Sequence, residues 1–239
     1  MSKNAEQLIF NLAHREALGR DDFLVTSSNS AAVALIDQWP DWPSHAAIIL
    51  GPEGSGKTHL IEVWRQRNNA DLVKARNLNT EDVPALLESG GLAIESLDDD
   101  RRDERGLFHA LNLAKQESKF LLLTSRITPS LLKLSIPDLA SRLSALPLIQ
   151  ILPPDDALLK NVLVKLFADR QIYVEEGLVN YILMRMPRSL GTARKLVADV
   201  DTLAMVEKSE ITKPLVARVL AKLEVPDLFT QPTESFTEL

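Results

Sequence analysis

The chain has 239 residues, 45% hydrophobic and 25% charged, enough for one large domain or two small ones with real cores. Its formal net charge of −6 argues against dependence on nonspecific duplex binding, which needs clustered Lys and Arg. Cysteine is absent, which excludes disulfides and thiolate metal sites and fits a cytoplasmic protein.

The opening segment, MSKNAEQLIFNLAHREALG, lacks the continuous apolar core of a signal peptide. The longest apolar runs, such as AAIIL and FLLL, are too short to span a bilayer, so no membrane association is expected. A helix is expected over Asn29–Trp39, with Asn29 or Ser30 as N-cap. Short apolar runs then alternate with longer amphipathic ones, the βα pattern of a mostly parallel sheet. Strands are expected at Ala46–Leu50, Asp71–Ala75, Gly91–Glu95, Lys119–Thr124 and Leu146–Ile151. Helices are expected at Thr58–Asn69, Glu81–Glu88, Glu104–Gln116 and Pro137–Leu143. Pro153-Pro154 ends the last strand, because proline fixes φ and lacks an amide donor. Four helical patterns follow without a strand: Asp155–Arg170, Glu175–Met186, Ser189–Glu207 and Lys213–Leu223. In the third, Leu196, Val200, Leu203 and Val206 recur at three- and four-residue spacing and predict one apolar face. The expected organisation is an N-terminal segment over 1–20, an α/β nucleotide-binding domain over 21–153, a small all-helical domain over 154–223 and a mobile tail over 224–239. In that tail Phe229 and Phe236 are candidates to dock elsewhere.

GPEGSGKT at Gly51–Thr58 fits G-x-x-x-x-G-K-[ST] in full, after a strand and opening a helix. In such a loop backbone amides converge on phosphate oxygens, Lys57 offers a cation to the β and γ phosphates, and the Thr58 hydroxyl can ligate Mg²⁺. The candidate cofactor-binding set is Gly51, Pro52, Glu53, Gly54, Ser55, Gly56, Lys57, Thr58 and the adjoining His59, which also reads simply as a helix residue. The second element is thinner. Leu92-Ala93-Ile94-Glu95 is an apolar strand ending in an acid, and Glu95 can hold magnesium-bound water. Ser96 follows, where a general base would be usual, and it cannot act as one. Asp98 can point back toward the site, whereas Asp99 and Asp100 read as the start of a solvated charged stretch. Intrinsic hydrolysis is therefore expected to be weak, since phosphoryl transfer depends on positioning and charge neutralisation. Arg142 in PDLASRLS, Arg194 in SLGTARKLV and Arg126 after LLLTS stand out by position; each also reads as an ordinary surface arginine. His14, His45, His59 and His109 show no metal-ligand spacing.

Together the phosphate loop, the Glu95 strand, the polar-ended LLLTSR strand, the PDLASRL box and a helical region with GTAR resemble the AAA+ ATPases, and within them the DnaA-related proteins. DnaA carries a C-terminal helix-turn-helix domain, and none fits in Val225–Leu239. The chain thus looks like the Hda (HdaA) family of DnaA-related regulators. The resemblance covers about Gln7 to Leu223. It implies an arginine finger at Arg142, acting in trans on a neighbour's nucleotide. It implies a sensor 2 contact to phosphate from Arg194 in the lid, and a sensor 1 strand ending at Thr124 and Ser125. Arg126 stands where relatives often place an acid, and Glu95 and Ser96 replace the usual pair of acids. It also implies that Gln7, Leu8, Phe10 and Leu12 form a clamp-binding peptide, which would lie extended in a hydrophobic groove.

The reading that results is a negative regulator of replication initiation. It holds ADP or ATP with Mg²⁺, with ADP the expected working ligand, binds the sliding clamp (the polymerase β subunit), and stimulates hydrolysis of DnaA-bound ATP. DnaA and the clamp are the implied partners, little direct DNA binding is expected, and a homo-oligomer stays open. One alternative is a self-sufficient ATPase acting on DNA as a helicase loader, using Glu95 and Asp98; the 5% aromatic content and negative charge argue against the stacking, basic groove that single strands require. Another is a structural adaptor in which nucleotide only stabilises the fold.

Overall fold

The computed structural model describes residues 25–223, so the clamp-binding-like residues Gln7, Leu8, Phe10 and Leu12 and the tail beyond 223 lie outside the described residues. Five parallel strands form one sheet in the order β2-β3-β4-β1-β5, with β1 Ala46–Leu50, β2 Asp71–Lys74, β3 Gly91–Glu95, β4 Phe120–Ser125 and β5 Leu148–Gln150. The run AAIIL is buried along its whole length because β1 is central and covered on both faces. Its side chains alternate between two cores. Ala46 and Ile48, with Leu92, Ile94, Leu121 and Leu123, pack under helices α3 (Val83–Glu88), α4 (Glu104–Gln116) and α5 (Pro137–Ser144). Ala47 and Ile49, with Ala93 and Leu122, pack under α1 (Ser30–Gln38) and α2 (Lys57–Asn68). On that second face Trp64 of α2 is fully buried and stacks on Trp42, ring centroids 5.6 Å apart and 13° from parallel.

Helices α6 (Asp156–Ala168), α7 (Glu176–Leu183), α8 (Leu190–Glu207) and α9 (Lys213–Leu223) enclose a third core around Phe167, Leu163, Ile182 and Val200. Capping side chains explain where the helices start. Asp103 accepts from the amides of Arg105 and Gly106 at the head of α4, Asp155 from Leu158 at the head of α6, and Ser189 from Thr192 at the head of α8.

Most element ends move by a residue or two from expectation, and three differences have a clear cause. The last strand shrinks from Leu146–Ile151 to Leu148–Gln150; it is an edge strand with both ends exposed, and Pro147 has no amide to extend the ladder. The helix at Glu175–Met186 stops at Leu183, just before the turn that leads to Pro187. The apolar face of α8 runs through Leu190, Ala193, Leu196, Val197, Val200 and Ala204, while Val206 is 61% exposed because the helix ends at Glu207, past the reach of its partners.

Candidate nucleotide site

In a parallel sheet every strand leaves at the same edge, so the loops after β1, β3 and β4 meet there. β4 lies between β3 and β1, and the Gly51 amide donates to the Ser125 carbonyl at 3.1 Å, which joins the phosphate loop to the end of β4. Around this edge lies a cleft of about 800 Å³, lined by Glu53, Gly54, Lys57 and Thr58 from the loop, by Glu95 to Arg101 apart from Leu97, and by Thr124 to Arg126. Lys74, which ends β2, and Arg76, just after it, complete its wall. These two basic residues at the end of β2 carry no motif; only the strand order shows that they reach the same edge.

Gly54 and Gly56 have positive φ, 70° and 99°, conformations that turn loop amides inward and that a Cβ would strain. Gly56 caps α2, so the helix starts with its positive end facing the cleft. The Lys57 ammonium donates to the Gly51 and Pro52 carbonyls at 2.8 and 2.7 Å, which holds it across the loop. Burial pulls its pKa below the ordinary value, opposed by the Asp98 carboxylate. Ser55 Oγ is buried behind the loop with no hydrogen-bond partner. Turned amides and a held ammonium fit the phosphates of a nucleotide. Thr58 is exposed in the cleft, and Glu95 ends β3 half-buried at its base, so the two can jointly hold a hydrated divalent cation.

Asp98 points back into the cleft, its side chain 5% exposed, and accepts from both the backbone amide and the Nε of Arg126. Burial works against the Asp98 charge, but the Arg126 hydrogen bonds outweigh it and keep the carboxyl below the usual carboxylate range. Asp99 and Asp100 also line the cleft, and Asp99 is tied to the Arg101 amide and lies 3.9 Å from Arg76. Ser96 adopts a left-handed φ of 61°, with its amide 3.4 Å from Thr124 Oγ1.

The helical part closes on the loop directly. The Leu190 amide donates to the Gly54 carbonyl at 2.8 Å, and Ser189 lies against the Gly54 Cα. One turn further on, Arg194 Nη2 is 3.3 Å from Nδ1 of the buried His59. Arg194 and His59 therefore meet behind the loop rather than on the cleft wall. Arg142 lies outside the cleft altogether, on α5. Its Nε donates to Asp138 at 3.0 Å, and its guanidinium stands 5.1 Å over the Phe108 ring with its side chain 39% exposed.

No family model matches the chain. It is 22% identical over 234 residues to the chromosomal replication initiator protein DnaA 2 of Chlamydia caviae, covering 87% of this chain and 50% of that protein. It is 26% identical over 184 residues to an uncharacterised Haemophilus influenzae protein, covering 72% and 80%. The chain thus spans about half the length of the DnaA proteins it matches. Among solved structures, domain III of Thermotoga maritima DnaA superimposes with a TM-score of 0.73 at 18% identity, covering 87% of this chain and 98% of that one. AMPPCP-bound DnaA from Aquifex aeolicus gives 0.61 at 17% identity, covering 78% and 64%. Among the described residues no helix is long and apolar enough to cross a membrane. The sequence similarity and the shared sheet and helices lead to one conclusion: this chain is similar to DnaA proteins over most of its length and has the fold seen in domain III of Thermotoga maritima DnaA.

Proposed function

We propose that the protein is a nucleotide-bound negative regulator of replication initiation, which binds the sliding clamp and offers Arg142 in trans to the ATP bound by DnaA. The observation that carries this reading is the separation of Arg142 from its own cleft. Held on α5 by Asp138 and Phe108, it is not among the residues that line its own cleft, and its side chain is 39% exposed. The cleft itself is short of hydrolytic groups. Ser96 follows Glu95, and Asp98 is committed to Arg126. Such a site binds and positions a nucleotide better than it hydrolyses one. Its own nucleotide, taken as ADP, is held by the loop amides and Lys57, with Thr58 and Glu95 as the residues for Mg²⁺, and Arg194 reaches it from the lid only by leaving His59. A bound nucleotide would also steady the loop on which the lid rests. The guanidinium of Arg142 would neutralise charge that develops on the partner's phosphates, an effect worth about 10³–10⁵ in rate for arginine fingers in general.

The test is a hydrolysis assay with three arms: the protein with ATP, with DnaA·ATP, and with DnaA·ATP plus clamp loaded on DNA. Hydrolysis confined to the third arm, and abolished by Arg142→Ala while ADP binding is kept, is the expected result. Brisk hydrolysis in the first arm would overturn it in favour of a self-sufficient ATPase.

A further inference from the structure

Arg126 has no assigned role, yet it stands at the centre of the cleft. It follows the last residue of β4, between the end of β3 with Glu95 and the phosphate loop after β1. Its Nε and its backbone amide both bind Asp98, which is almost fully buried and so fixes the guanidinium in place. The other edge of the guanidinium is differently engaged. Nη1 lies 3.8 Å from Glu53 on the phosphate loop, too far for a hydrogen bond, and that carboxylate is 89% exposed. Neither terminal nitrogen of Arg126 makes a hydrogen bond to another described residue. A fork of donors is therefore aimed at the loop and held there by a weak, solvent-screened contact that an anion can displace. Of the carboxylates in the same place, Glu95 and the exposed Asp100 still line the cleft, and the others are engaged. Asp98 is bound to Arg126, Asp99 to Arg101, and position 96 is a serine. A magnesium-bound nucleotide ordinarily needs acids at this spot, and here a fixed cation stands among them.

We propose that Arg126 exchanges Glu53 for the terminal phosphate of a nucleoside diphosphate bound to this loop and supplies, within the same chain, the positive charge that magnesium supplies elsewhere. The site then holds a nucleoside diphosphate with little dependence on a divalent cation. This rests on the nucleotide-binding reading of the loop. Asp98 acts as the holder of Arg126, and removing the arginine releases its carboxylate toward the cleft, where it can join Glu95 in holding a hydrated cation. Loss of Arg126 therefore converts a cation-independent site into a cation-dependent one.

The experiment is a calorimetric titration of the full chain with ADP, in magnesium and in EDTA, for the wild type, Arg126→Ala, Arg126→Lys and Lys57→Ala, with far-UV circular dichroism as the check on folding. The double variant Asp98→Asn/Arg126→Gln leaves no buried carboxylate without a partner, and it serves if Arg126→Ala misfolds. The wild type is expected to bind ADP within about threefold in the two buffers, and Arg126→Ala to weaken about tenfold or more in EDTA while recovering in magnesium, the scale of a hydrogen bond to a charged group. Arg126→Lys should lie between, since a point charge lacks the fork. The double variant should be weak in both buffers. Wild-type binding that collapses in EDTA, or Arg126→Ala indistinguishable from wild type in EDTA, overturns the role of Arg126 and leaves the nucleotide site standing. Absence of ADP binding by the wild type, or binding unchanged in Lys57→Ala, overturns the nucleotide reading itself and the proposal with it.

Discussion

Replacing Gly54 with alanine tests whether loop and lid are coupled. At a φ of 70° an added Cβ would sit 1.9 Å from Ser189 Oγ, 3.0 Å from Ser189 Cβ and 3.2 Å from the Gly191 nitrogen. Two costs follow. An alanine in left-handed backbone costs about 1–2 kcal/mol. Ser189 must also move, and it caps α8 by accepting from Thr192, a contact worth about 1 kcal/mol. The contacts with Ser189 Cβ and the Gly191 nitrogen also press the start of α8 away from the loop and strain the 2.8 Å bond from the Leu190 amide to the Gly54 carbonyl. Gly54→Ala is thus expected to lose about 2–3 kcal/mol, or about 5–10 °C in melting temperature for a chain of this size. Urea unfolding followed by far-UV circular dichroism measures it. The cores under the sheet and within α6–α9 share no residues, so a weakened latch should also broaden or split the transition. The partner variant Ser189→Gly removes the 1.9 Å clash, so the double variant should be more stable than the sum of the singles by about 1 kcal/mol. A Gly54→Ala protein that melts within about 1 °C of wild type, or a cycle without coupling, would refute the latch.

The Asp98–Arg126 pair has a pH signature. The folded pKa of Asp98 lies below its ordinary 3.8, so the pair stabilises the fold above that value and the contribution is lost as pH falls through the folded value. Asp98→Asn should cost about 1–2 kcal/mol at neutral pH, with Arg126 half-exposed to solvent, and the deficit should close in acid; a pH-independent deficit in urea titrations would contradict the assignment. Trp64→Ala should cost about 3–5 kcal/mol because it empties a fully buried site and removes the stack on Trp42. A loss below about 2 kcal/mol would show that the second core can collapse around the gap.

What could be read from the chain depended on how local the information was. The phosphate loop is contiguous, and its glycines, Lys57 and the AAIIL run before it announce a strand, a turn and a helix in order. The alternation of strands and amphipathic helices likewise implies the parallel sheet. By contrast, Asp98 and Arg126 are separated by 28 positions, and neither carries a motif that names the other. They meet because β3 and β4 are neighbours, a fact of strand order that composition does not reveal. Lys74 and Arg76 belong to the same class, as does the contact of Gly54 with Ser189, which joins loop and lid across 135 residues of sequence. Boundaries slipped where local pattern and tertiary context disagree. Val206 continues the spacing of α8 but lies beyond the helices that could cover it, and the apolar run to Ile151 outlasts the edge strand it belongs to.

The way Arg142 is held has a kinetic side. A free arginine side chain carries about 2 kcal/mol of rotamer entropy, which a docking partner must remove before a specific contact forms. Here the Asp138 carboxylate holds Nε and the Phe108 ring lies under the guanidinium face, so part of that freedom is already gone while the side chain stays 39% exposed. On the reading proposed above, an anion arriving at α5 would meet a cation already held in one posture. Less of each collision is spent searching for that posture, and even a short-lived complex can be productive.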